Sequence, residues 1–202
     1  NTRLMQGTCW SAGCHEAPHG SNASFRRFQT KFMSTGAGNQ QYGWGLYFAQ
    51  RRKTAEGYAE PIPGASKETL SHLYTVDMAI RDDQWLYWNK PLSEQNAVIQ
   101  ALAKKLGLSL NQNGDSLYEE LADSLFKQAY GKEITTKKER SIAHKAASQT
   151  LNQLGVKGLQ YRDANDSSRE SNNLVVFDPK NIIRIQTETG TVVETDTLDP
   201  QY

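Results

Sequence analysis

The hydrophobic period changes twice along this chain, and that change limits the folds open to it. Leu46 to Ala49 reads as a short strand, and Leu73 to Met78 alternates with β-branched and aromatic content as a longer one. From Ser93 to Leu154 the period is helical. Ser93 is the expected cap of a helix carrying Val98, Leu102 and Leu106 up to Gly107. A second helix is expected over 116–130 through Leu117, Leu121, Leu125 and Phe126, and a third over 137–154 through Ile142, Ala146, Leu151 and Leu154. Past Gly155 the strand period returns at Val156–Tyr161 and Leu174–Phe177, with Ile182–Ile185 expected as an edge strand. Strands early, helices in the middle and strands late predict an α+β domain whose sheet is completed by its C-terminal segment. The expected division is one domain over 1–185, with a helical insertion at about 93–154, and a loose tail over 186–202.

Composition removes several classes. The 202 residues carry 23 basic and 22 acidic side chains, so the net charge of +1 creates no global field for nucleic acid or anionic lipid. Mean hydropathy is -0.69, yet nine Tyr, six Phe and four Trp are too many core-formers for a disordered chain. No apolar run approaches the roughly 20 residues of a membrane-spanning helix, and no apolar leader follows a basic start. The chain opens on Asn1 rather than Met, which points to an excised domain or a processed terminus. The N-terminus names no compartment, and a soluble protein acting in the cytoplasm of a host or target cell is the expectation.

Between residues 35 and 45 lie Gly36, Gly38, Gly43 and Gly45, which predict a loop with positive φ or a close backbone approach. Lys53 to Tyr58 reads as one or two helical turns ended by Pro61-Ile62-Pro63-Gly64. There is no P-loop, no HExxH and no GxSxG elbow. What remains are three strand-associated pieces: His19-Gly20-Ser21; Tyr42-Gly43-Trp44-Gly45-Leu46-Tyr47-Phe48-Ala49 with Tyr58 eleven residues after Tyr47; and Asn173-Leu174-Val175-Val176-Phe177-Asp178.

These pieces, in this order, resemble the ADP-ribosyltransferases of the diphtheria-toxin and poly(ADP-ribose) polymerase branch, the His-Tyr-Glu type. Within it they are most similar to the bacterial and phage domains of large polyvalent proteins. The resemblance covers most of 17–185 and implies a split antiparallel sheet around an NAD cleft. It implies that His19 holds the adenosine ribose, that Gly20 holds the nicotinamide carboxamide through its backbone, with Ser21 beside it, and that Tyr47 and Tyr58 sandwich the nicotinamide ring. A flat heteroaromatic ring is held well between aromatic faces, which agrees with that assignment.

The family places a Glu where this chain has Asn173. That Glu stabilises the oxocarbenium-like cation formed as nicotinamide leaves, and one preorganised electrostatic group is worth about 10²–10³ in rate. Asn173 can hydrogen-bond ribose hydroxyls without charge; the alternatives are a slower enzyme, a carboxylate borrowed from Glu170, or one from elsewhere. The departure argues against chain elongation, so the resemblance implies mono-ADP-ribosylation with NAD+ as co-substrate. The acceptor is expected to be a protein more than a nucleic acid, and the role that of an effector or toxin with an immunity protein or a larger parent polypeptide as partner. The competing readings are an NAD glycohydrolase and a non-catalytic NAD-binding module.

Blander roles stand beside these. His19 alone is a structural histidine, Tyr47 and Tyr58 alone are core aromatics, Asn173 is a turn residue ahead of a strand, and Glu170 is solvated. Cys9, Cys14, His15 and His19 match no structural zinc spacing, so no metal is expected. A Cys9–Cys14 disulfide requires an oxidising compartment. Arg26-Arg27 and Arg51-Arg52-Lys53 are solvated faces, unless one meets the pyrophosphate or an acidic target. Lys137, Lys138 and Arg140 have no functional reading.

Overall fold

The computed structural model describes residues 14–21, 42–49, 72–162, 172–187 and 192–194. The described residues form two four-stranded sheets and three helices. Strands β1 (Cys14–Ser21), β2 (Leu46–Phe48), β3 (His72–Ala79) and β4 (Trp85–Tyr87) precede helices α1 (Ala97–Lys105), α2 (Gly114–Tyr130) and α3 (Lys137–Gln153). Strands β5 (Gly158–Arg162), β6 (Asn172–Val176), β7 (Ile182–Thr187) and β8 (Val192–Glu194) follow. One sheet has the order β1-β3-β7-β8 and the other β2-β6-β5-β4.

The α+β expectation is met, with one departure from a purely antiparallel sheet: β4 pairs parallel with β5, Trp85 opposite Gly158. A parallel pair needs a long crossover, and the three helices supply it. The helical segment is thus the connection that brings the chain back beside β4. Within 82–89, Trp85 and Leu86 are fully buried and pair with β5.

Alternation along the strands sorts side chains into two cores. Ala17, Tyr74, Val76, Met78, Ile182 and Ile185 from the first sheet meet Phe48, Trp85, Leu174 and Val176 from the second. The opposite face of the second sheet, through Leu86, Leu159, Tyr161 and Val175, packs on the helices. The order of layers is therefore sheet, sheet, helices.

Each helix is placed by its cap and by small residues on the buried face. Asn96 rather than Ser93 caps α1, accepting from the Ile99 N–H. Ser93 is drawn into a 3₁₀ turn whose backbone N–H donates to the Leu110 carbonyl. Burial is rotated from the expected face: Val98 is exposed, whereas Ile99 and Ala103 are fully buried. In α3, Ile142 and Leu154 are exposed, and Ala143, Ala147 and Leu151 are buried. Alanines let α3 lie close against α2, so the larger side chains turn outward. Thr136 and Glu139 form a reciprocal capping box at the start of α3.

The edge-strand expectation for Ile182–Ile185 needs correction. β7 is interior, between β3 and β8, because β8 covers its outer edge. β7 runs to Thr187 and β8 adds Val192–Glu194, with Ile185 opposite Val193; the rest of the segment expected as a loose tail, 188–191 and 195–202, lies outside the described residues. Among the described residues, no helix is long and apolar enough to cross a membrane.

Candidate active site

The two sheets meet along β1 and β2. Past the end of β2, the Ala49 N–H donates to the Pro18 carbonyl at 3.1 Å. This bond joins the first two sequence pieces, and the β2–β6 pairing adds the third. His19 is the next residue along β1, opposite Tyr74, followed by Gly20 and Ser21 opposite Leu73 and His72. Tyr47 lies two residues before Ala49, opposite Val175. Asn173 is one step along β6 from the Phe48–Leu174 pair. Residues far apart in sequence thus share one end of a strand junction. Tyr58, Glu170 and the two basic clusters lie outside the described residues, as does Cys9.

Tyr47 is the best-defined of these groups. It is half-buried, and its hydroxyl donates to the Gly43 carbonyl at 2.6 Å. Its ring meets Tyr161 edge-on, with centroids 6.2 Å apart and planes at 66°. Tyr161 in turn stacks on Tyr42 at 3.8 Å and 14°. Burial, and then the neighbouring Tyr161, push the Tyr47 phenol well above its ordinary pKa. Tyr47 therefore stays neutral, and its hydroxyl serves as a hydrogen-bond donor to Gly43.

Asn173 is buried, with 4 % of its surface exposed, and stands opposite Tyr161 on the face it shares with Val175. An uncharged amide is tolerated at that burial where a carboxylate would carry a desolvation penalty.

The loop that positions Tyr47 explains two of the glycines. Gly43 has φ of 106°, and a Cβ there would lie 2.8 Å from the Tyr118 ring. A Cβ on Gly45 would lie 2.6 Å from the Val176 carbonyl oxygen. Both forms of the expectation, positive φ and close approach, are met.

The chain matches the family model described as ADP-ribosyltransferase in polyvalent proteins over residues 18–192. It belongs to that ADP-ribosyltransferase family. The matched span starts at Pro18, whose carbonyl joins the sheets, and ends at Val192 in β8, so it takes in the helical crossover as well. No curated protein and no solved structure matches the chain significantly.

Within this ADP-ribosyltransferase fold, Tyr118, Ser148 and Tyr161 contact the segment from Gly43 to Tyr47 and were not singled out from the sequence. Tyr161 carried a usable signal, since it alternates with Leu159 on a strand and so shares the helix-side face. Tyr118 and Ser148 carried none, because they reach the site only through the fold. Arg140 is an ion-pair residue, 3.1 Å from Glu119 and 2.6 Å from Asp123. His144 adds a contact to Glu119 at 3.0 Å. Among the described residues, no group of three or more His, Cys, Asp or Glu side chains is arranged to hold a metal.

Proposed function

We propose that this domain is an NAD+-dependent mono-ADP-ribosyltransferase that modifies a protein side chain. The observation that carries the reading is the Ala49–Pro18 bond beside the β2–β6 pairing, by which the strands carrying His19, Tyr47 and Asn173 adjoin. The residues suit NAD+ as substrate. Tyr47 offers a half-buried ring whose hydroxyl is already engaged, so the ring is held for stacking. The backbone of Gly20 would orient the carboxamide, Asn173 would hydrogen-bond a ribose hydroxyl, and Tyr58 would supply the second aromatic face. In the reaction, the bond between nicotinamide nitrogen and ribose C1′ breaks with its electron pair going to nicotinamide. The acceptor nucleophile then bonds C1′ and gives up its proton. This chain's residues bind and orient, and the cation is stabilised by the Asn173 dipole or by Glu170. We place the domain as one effector module of a larger polypeptide, acting in the cytoplasm of a host or target cell.

One specific feature favours a second reading. Asn173 stands where the resemblance calls for a Glu, as in a module that binds NAD+ without cleaving it. Nicotinamide release by the purified domain, with and without cell extract, separates the cases. Release with extract, with labelled ADP-ribose on a discrete protein, is expected. Release in buffer alone means a glycohydrolase, and binding without release means the non-catalytic module.

A further inference from the structure

The Gly43-Trp44 step is held by the helical crossover and not by its own sheet alone. The Trp44 N–H donates to the Tyr118 hydroxyl of α2 at 3.0 Å. The Ser148 hydroxyl of α3 donates to the Trp44 carbonyl at 2.7 Å. Tyr118 passes its own proton to the His144 carbonyl at 2.9 Å, and the two hydroxyl oxygens lie 2.8 Å apart. Each hydroxyl proton thus has a carbonyl to receive it, and both backbone groups of Trp44 are satisfied in a buried setting. Trp44, Tyr118 and Ser148 are all buried.

This clamp has a direct line to the site. The Tyr118 ring lies flush against Gly43, and the Gly43 carbonyl is the atom that receives the Tyr47 hydroxyl. Wherever α2 and α3 set that carbonyl, the Tyr47 ring follows. A misplacement of about 1 Å in a substrate-positioning group can cost about 10²-fold in rate.

We infer that Tyr118 and Ser148 are positioning residues, through which the helical crossover fixes the pose of the Tyr47 ring for NAD+. The inference rests on the reading of Tyr47 as an NAD+ contact. It assigns to the helices, which hold none of the three motif pieces, a part in substrate recognition.

The test is a double-mutant cycle on the full chain, reading NAD+ affinity by calorimetry and nicotinamide release by rate. Tyr118→Phe and Ser148→Ala are each made in the wild-type and in the Tyr47→Phe background, with circular dichroism as the check on folding. Each is expected to weaken NAD+ binding about tenfold in the wild type, the scale of one hydrogen bond. In Tyr47→Phe, where the tether is gone, each is expected to cost under about twofold. A merely structural role predicts equal losses in both backgrounds, and that result overturns the inference, as does no loss in either. Should Tyr118→Phe fail to fold, Ser148→Ala, which removes a single oxygen, decides by the same criterion. Wild-type protein that neither binds nor cleaves NAD+ overturns the reading of the site and the inference with it. Active wild-type protein with additive losses overturns the inference alone.

Discussion

Asn173 on β6 stands directly opposite Tyr161 on β5, both with 4 % of their surface exposed. The pair sets the character of this end of the sheet. The residue expected to face the ribose is an amide beside an aromatic ring that also braces Tyr47. A charged group there would have to be introduced into an apolar, sheltered setting.

Two opposing effects therefore bear on Asn173→Glu. A correctly placed carboxylate would raise nicotinamide release by up to about 10²–10³-fold. Burying it beside Tyr161 would lower stability by roughly several kcal/mol. The expected outcome is faster release with a lower melting temperature, read by product assay and thermal denaturation on the same sample. Asn173→Ala is expected to slow release. Unchanged kinetics in that variant would move the role to Glu170 or to another carboxylate.

Tyr47→Ala removes the ring as well as the hydroxyl, and is expected to abolish NAD+ binding and turnover together. Tyr47→Phe keeps the ring and loses only the 2.6 Å bond to Gly43. Its loss of affinity is expected to be about fivefold to tenfold, the worth of one hydrogen bond. Calorimetric titration of both variants checks the order. Wild-type affinity in Tyr47→Ala would remove this residue from the site.

Much of the architecture was legible because local period tracks element type. β3, α2 and α3 lie almost where their patterns put them. What was lost was orientation. In α1 and α3 large side chains were expected inside, yet Val98, Ile142 and Leu154 are exposed: α1 buries Ile99 and Ala103 instead, and α3 turns Ala143 and Ala147 inward. β4 was hidden for a related reason: three residues are too few to display alternation, and its partner arrives only after the crossover. At the candidate site, Tyr47 and Asn173 could be proposed because they sit in short contiguous motifs. Tyr118 and Ser148 could not, since they meet Trp44 across separations of 74 and 104 residues that no spacing rule records.

Gly43→Ala tests the close approach directly. The new methyl group would meet the Tyr118 ring at 2.8 Å in a backbone of φ 106°. Strain at positive φ costs about 1–3 kcal/mol, before any displacement of the ring is counted. The variant is expected to lose at least that much stability in urea denaturation and to weaken NAD+ binding as well. Gly131→Ala makes a matched control, since φ is 68° and a Cβ there meets nothing within 4 Å. The control should lose stability without losing affinity.

Acid stability has an identifiable source at the start of α3. The Glu139 carboxylate accepts from Lys132, from the Thr135 N–H and hydroxyl, and from the Thr136 N–H. The Lys132 bond above all, then those from Thr135, lower its pKa from 4.5 to about 2. Because the folded value lies below the unfolded one, the stabilisation is full above pH 4.5 and is lost as pH falls towards 2. Glu139→Gln removes the ionisable group while keeping an acceptor for the capping box. The expected result is a lower melting temperature than wild type at neutral pH, with the difference shrinking between pH 4.5 and 2. Melting curves across that window check it, and a difference that stays constant with pH would show that the cap acts by shape rather than by charge.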